Sequence, residues 1–256
     1  MGLFVSEDRE YREDRRQVGF NRYKQLLSRH AKEWLVLNAL TILGGLPLAA
    51  GILISISASS VLLLIPCGMV GGMIFGPFLA GLYDSILRRM RDDPMPWRMN
   101  YAKSWKQNAL GSLLPGAVLG LLTGIYCFMG MLFWWAVVPP AASTIVLYLL
   151  SMAVVLSVSN LYWPQLVLFR QRNTIRLRNC LLFAIQNFGK VLGVAVLQML
   201  VIAFMLLFAP WTMLALPVVG VWFPVFFSQH ILYDRMNAAY GIEEQFNQIT
   251  TERQGS

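Results

Sequence analysis

Three long runs of the chain carry no charged side chain: 34–83, 107–169 and 191–233. Each is wide enough for two apolar helices of about 20 to 25 residues joined by a short turn, the length that crosses a hydrocarbon core about 30 Å thick. The pattern predicts an all-α polytopic membrane bundle, with six transmembrane helices arranged as three hairpins. The expected spans are 34–57, 61–84, 111–138, 143–168, 189–209 and 213–232, with uncharged turns near 57–60, 138–142 and 209–212. The returning helix of each pair carries proline: Pro77, Pro164, and then Pro217 with Pro224.

A second pattern precedes each hairpin. In FNRYKQLLSRHAKEW, Phe20, Tyr23, Leu26, Leu27, Ala31 and Trp34 recur at helical spacing. In WRMNYAKSWKQN, Trp97, Tyr101 and Trp105 form an i, i+4, i+8 stripe beside Arg98, Lys103 and Lys106. In IRLRNCLLFAIQNFGK, basic and apolar positions alternate as far as Lys190. Each segment is expected to be a cytosolic amphipathic helix lying at headgroup depth, its lysines and arginines facing anionic membrane lipids. Trp97, Tyr101, Trp105 and Lys106 are the candidate partner-docking residues; plain anchoring is the simpler role for the same pattern.

Composition agrees with the membrane assignment. Hydrophobic residues make up 57% of the 256 and charged residues only 13%, against about 25% in soluble domains. The 21 lysines and arginines and 13 aspartates and glutamates fall in four clusters, 7–33, 84–106, 170–190 and 234–253. With three hairpins between them, all four lie on one side of the bilayer. Basic residues next to spans mark the cytoplasmic side, so both termini are expected in the cytosol, in the cytoplasmic (inner) membrane. The net charge of +8 then reflects sidedness, and no nucleic-acid partner is expected. Residues 1–19 are expected to form a disordered charged tail rather than a cleaved leader, and 233–256 a second cytosolic tail. The opening MGLFVS fits the loose N-myristoylation pattern.

Small residues recur every four positions in two adjacent spans: Gly68, Gly72, Gly76 and Ala80, then Gly116, Gly120 and Gly124. In hydrocarbon, where burial gives helices no reason to associate, such ridges let backbones approach closely. They are expected to pack the second span on the third, or to serve a homo-oligomer equally well. Pro77 within the first ridge predicts a bend.

Candidate chemistry is sparse. No carboxylate, lysine, arginine or histidine falls near the centre of a span, where coupled transporters keep an ionisable residue. Gln198 is the most central large polar side chain, with Asn38, Asn160 and Gln165 closer to the ends; a polar pathway would bring Gln198, Asn160, Gln165 and Lys190 together. Lys190 is either interfacial or buried, depending on where the fifth helix starts. Neither His30 nor His230 has a serine or cysteine and an acid arranged around it as a nucleophilic set. Cys67, Cys127 and Cys180 lack CxxC or histidine spacing for a metal, and no phosphate loop of the GxxxxGK type is present. No catalytic residue, metal site or cofactor is expected.

The run GPFLAGLYDSILRRMRDDPMPWRMNYAKSWKQNALGSLLPG resembles the signature region of the YesL-like bacterial membrane proteins, through Gly76-Pro77, Arg88, Asp92, Trp105 and Lys106-Gln107-Asn108. The likeness covers about forty residues. The first hairpin departs from the usual pattern in being longer and richer in glycine. The resemblance implies a bacterial multi-pass protein without established catalytic residues, whose relatives are often associated with carbohydrate importers. The resulting expectation is a non-enzymatic membrane accessory or regulatory protein, with a sugar-importer subunit as candidate partner. The alternative is a small-molecule transporter or channel with a path between the hairpins.

Overall fold

The computed structural model describes residues 19–93, 96–209 and 211–244, and among these every regular element is a helix. In chain order they are α1 (Phe20–Arg29), α2 (Ala31–Ser57), α3 (Val61–Met90), α4 (Trp97–Trp135), α5 (Ala142–Leu168), α6 (Asn173–Gln186), α7 (Phe188–Leu207), α8 (Trp211–Val219) and α9 (Trp222–Tyr240). Helices α2, α3, α4, α5 and α7 are each long and apolar enough to cross a membrane, and α8 with α9 makes a sixth candidate, bent by 56°. The chain is thus a multi-pass helical membrane protein. The expected tail 1–19 lies outside the described residues except for Gly19, as does the MGLFVS opening.

Three boundaries differ from the sequence pattern, each for a local reason. The stretch 97–108 is not a separate amphipathic helix. It forms the first three turns of α4, because nothing between Trp97 and Gly111 interrupts helical geometry and Pro96 supplies an extended residue just before the start. Helix α9 runs past residue 232 to Tyr240, where the tail was expected; Gly241, at φ 58°, ends it in the left-handed conformation with its amide on the Asn237 carbonyl at 2.8 Å. The sixth span is not one helix. Pro217 and Pro224 each withdraw an amide, and between them the chain turns at Gly220–Val221. Pro224 falls in the first turn of α9, where its missing N–H has no helical acceptor to leave unpaired.

The central contact is α3 against α4. An ideal Cβ built on Gly72 would fall on the Gly116 carbonyl oxygen, and one on Gly120 would fall on the Gly68 carbonyl. Gly76 faces the Ser112 carbonyl in the same way, with Gly116 Cα 3.3 Å from its ideal Cβ. Gly124 lies one turn beyond this contact, facing Leu64 Cδ1 at 3.1 Å. On its other side α3 meets α2: Gly71 abuts Leu48 and Gly44 abuts the Phe78 ring. Helix α3 is therefore enclosed from both sides at backbone distance, and dispersion between close-packed atoms is the attraction available there. Helix α3 continues as a single helix through Pro66 and Pro77.

The largest buried cluster sits toward the charged end. Trp34 stacks on Trp222 with ring centroids 5.8 Å apart, and Phe226 lies 5.1 Å from Trp34 and 5.2 Å from Tyr23. Through Tyr23 and Leu26, α1 is folded onto this cluster. By contrast α5 is largely exposed along its first half and buried mainly from Asn160 to Leu166.

Candidate functional site

Four groups of polar side chains lie against the bundle. The most interior joins α5, α7 and α9. Asn160 Nδ2 donates to Gln198 Oε1 at 2.8 Å, and Gln198 Nε2 donates back to Asn160 Oδ1 at 3.0 Å and to Ser228 Oγ at 2.8 Å. Ser228 Oγ donates to the Pro224 carbonyl, and Gln229 Nε2 to the Asn160 carbonyl at 3.0 Å. Asn160 and Gln198 are thus brought together, as a polar pathway requires, but they are turned toward each other. Gln165 stands further along α5, with Nε2 3.4 Å from Tyr240 Oη. Lys190 is exposed in the first turn of α7 and outside the cluster. Ser228 and Gln229 complete the group; their only sequence signal was the polar pair SQ within an apolar run.

The second group is built on Asn38 of α2, which bridges the break between α8 and α9. Its Nδ2 donates to the Leu216 carbonyl at 2.9 Å and the Pro217 carbonyl at 2.8 Å, while Oδ1 accepts the Val221 amide at 2.9 Å. The Trp222 amide lies 3.5 Å from the same oxygen. One fully buried side chain thus caps the end of one short helix and the start of the next. Trp222 Nε1 adds a bond to the Val218 carbonyl at 2.7 Å. Gly220 is required at the break, since an ideal Cβ there would meet Asn38 Oδ1 at 2.6 Å. Irregular backbone at membrane depth is tolerated only when its polar groups are covered in this way.

A third group closes the charged end. Arg88 Nε donates to Asp84 at 2.7 Å and Nη1 to Asp93 at 3.0 Å. Arg89 binds Glu33 through both Nε and Nη2, at 2.8 and 3.1 Å, and its Nη1 reaches the Asp93 carbonyl at 2.9 Å. Arg22 Nη2 pairs with Asp92 at 2.5 Å. His30 Nδ1 lies 3.3 Å from Glu33, and burial, opposed by that carboxylate, holds its imidazole below the ordinary histidine range. These bonds tie α1 and the start of α2 to the end of α3. They form an internal ionic joint, and among the described residues no three His, Cys, Asp or Glu side chains gather as metal ligands.

The aromatic stripe of α4 turns mostly inward. Trp97 and Tyr101 pack on the buried cluster, with the Tyr101 ring filling the space a side chain at Gly81 would need. Trp105 meets the Phe78 ring edge-on at 6.3 Å and keeps 40% of its surface exposed. Lys106 is exposed. Exposed side chains on these turns include Met99, Ala102 and Lys106, with Trp105 the one exposed member of the stripe.

The fourth group surrounds Arg176 at the start of α6, beside an apolar groove between α4, α5 and α6. No charged residue in the spans signalled it. The relevant pattern was the run of cations in RQRNTIRLR without an acid.

No family model, curated protein or solved structure matches the chain.

Proposed function

We propose that this chain is a non-enzymatic accessory or regulatory protein of the bacterial cytoplasmic membrane. In this reading three hairpins place all charged clusters in the cytosol, with α8 and α9 together forming the sixth crossing, and a partner is met through the first turns of α4. The observation that carries it is the length of that helix. At about 1.5 Å per residue its 39 residues extend about 58 Å, well beyond a hydrocarbon core of about 30 Å. The excess carries an exposed face of Met99, Trp105 and Lys106. Asn160, Gln198 and Ser228 spend their side-chain hydrogen bonds on one another and on the Pro224 carbonyl, whereas this end offers exposed apolar and basic side chains. A sugar-importer subunit is the partner suggested by the YesL-like resemblance.

A photo-crosslinking residue at position 99, in native membranes, tests this reading. A recurrent protein adduct that disappears in Trp105→Ala/Lys106→Glu supports it. Adducts to lipid alone overturn it.

One observation favours a transporter instead: a broken final span is the kind of element that lines a substrate path. Liposome flux that is abolished by Gln198→Leu would decide for that alternative.

A further inference from the structure

Helices α4 and α5 are pinned together toward the uncharged end, where Tyr148 Oη donates to the Tyr126 carbonyl at 3.0 Å. Nearer the charged end, residues of α4, α5 and the start of α6 together line an open groove. The resulting groove has a volume of about 410 Å³ and an almost wholly apolar wall, including Leu114, Val118, Leu122, Val154, Val158 and Leu177. That size falls among small-ligand sites, about 300–1,000 Å³. Its polar lining residues are Ser159 and Tyr162 of α5 and Asn173 and Thr174, which open α6.

Next to Asn173 and Thr174 in α6 sits Arg176, only 5% exposed. Its Nη1 donates to Tyr162 Oη at 3.2 Å and Asn173 Oδ1 at 2.8 Å, and its Nη2 to the carbonyls of Gln171 at 3.0 Å and Phe169 at 3.5 Å. The guanidinium carbon lies 5.3 Å from the centre of the Tyr162 ring. Every one of these partners is neutral, and Nε has no acceptor. No Asp or Glu occurs in the sequence between Asp93 and Asp234. A cation buried without an anion is strongly unfavourable, and none of the hydrogen-bond partners of this residue among the described residues carries a negative charge.

The start of α6 is arranged to receive one. Its first intrahelical bond runs from the Arg176 amide to the Arg172 carbonyl, and no side chain caps it. The amides of Asn173, Thr174 and Ile175 precede that bond, at the positive end of the helix. Arg170, Arg172 and Arg178 are exposed around it.

We propose that the groove between α4, α5 and α6 binds an anionic glycerophospholipid. An acyl chain lies along the apolar wall, and the headgroup phosphate sits at the first turn of α6, compensating Arg176. The site is distinct from the α4 face assigned to a partner and stands whether or not that partner exists. A zwitterionic lipid of the same chain length would fill the groove equally but bring a compensating cation, so the discrimination lies in the headgroup.

Native mass spectrometry of the full chain, after exchange into equal phosphatidylglycerol and phosphatidylcholine of matched acyl chains, tests the site. Retention of phosphatidylglycerol by about tenfold over phosphatidylcholine is expected, from one to two arginines at about 1 kcal/mol each. Arg176→Gln should abolish the preference. Because that variant can fail to fold, Val118→Trp serves as an independent probe: it projects from a half-exposed position of the groove wall and should remove the preferred adduct while leaving elution and helicity unchanged. Equal retention of the two lipids, an unchanged preference in a folded Arg176→Gln, or an unchanged adduct in Val118→Trp would overturn the proposal. So would inorganic phosphate alone raising the melting temperature as far as phosphatidylglycerol does, since the acyl groove would then contribute nothing.

Discussion

Gly72 and Gly116 are reciprocal: a Cβ built on either would land on the carbonyl oxygen of the other. Neither obstruction can be relieved by a side-chain rotation, because the atoms in the way are backbone. Gly72→Ala or Gly116→Ala must push α3 and α4 apart, at an expected cost of about 1–3 kcal/mol. Gly193→Ala, facing open space, should be neutral or stabilise by up to about 1 kcal/mol. Unfolding of each variant by SDS titration in mixed micelles measures the contrast.

Asn38→Leu removes both halves of the bridge across the α8–α9 break. Its four contacts, at about 0.6 kcal/mol each inside a membrane protein, predict a loss of about 2 kcal/mol, and more where the freed groups stay dry. Hydrogen exchange at the Val221 and Trp222 amides should accelerate selectively. Asn38→Asp keeps the acceptor and loses both donors, so it should protect those amides while still destabilising the end of α8.

The Asn160–Gln198 pair should behave as a unit. Gln198→Leu leaves the Asn160 amide and Ser228 without their partner, at a cost of about 1–2 kcal/mol. The double variant Asn160→Leu/Gln198→Leu should cost less than the two singles combined, with a coupling of about 0.6–1.7 kcal/mol in thermal unfolding. Additive losses would show that the two amides are independent.

Cys180 gives a pH dependence. Burial pushes its thiol up to about 12, against the opposing pull of Arg176. The fold therefore disfavours the thiolate, and the stabilising difference is intact below the unfolded thiol pKa of about 8.5. It is lost as pH rises from there through about 12, with a slope of up to about 1.4 kcal/mol per unit. Stability measured from pH 8 to 11 should fall more steeply in the unsubstituted protein than in Cys180→Ala, and maleimide should label Cys180 at neutral pH only after denaturation.

Much of the bundle is legible in the charge-free runs, because crossing hydrocarbon is a local requirement met by consecutive apolar residues. Helices α2, α5 and α7 match the expected spans 34–57, 143–168 and 189–209 closely for that reason. The break at Gly220 was hidden. Pro217 and Pro224 mark it locally, but what holds it is Asn38, which no periodicity connects to residue 220. The inward turn of Trp97 and Tyr101 was hidden for a related reason: an i, i+4 stripe states that residues share a face and leaves open what covers that face. The setting of Arg176 was hidden because it depends on the neutral groups that the fold gathers around the guanidinium, Tyr162 Oη among them.

Asn38 also has a consequence in time. Its acceptors and donors are synthesised about 180 residues later, after every other candidate span has been made. Until Leu216 and Val221 arrive, the Asn38 side chain in α2 lacks all of these partners. A chain cut short before α8 would lack the clasp that Asn38 makes between α2 and the last two helices.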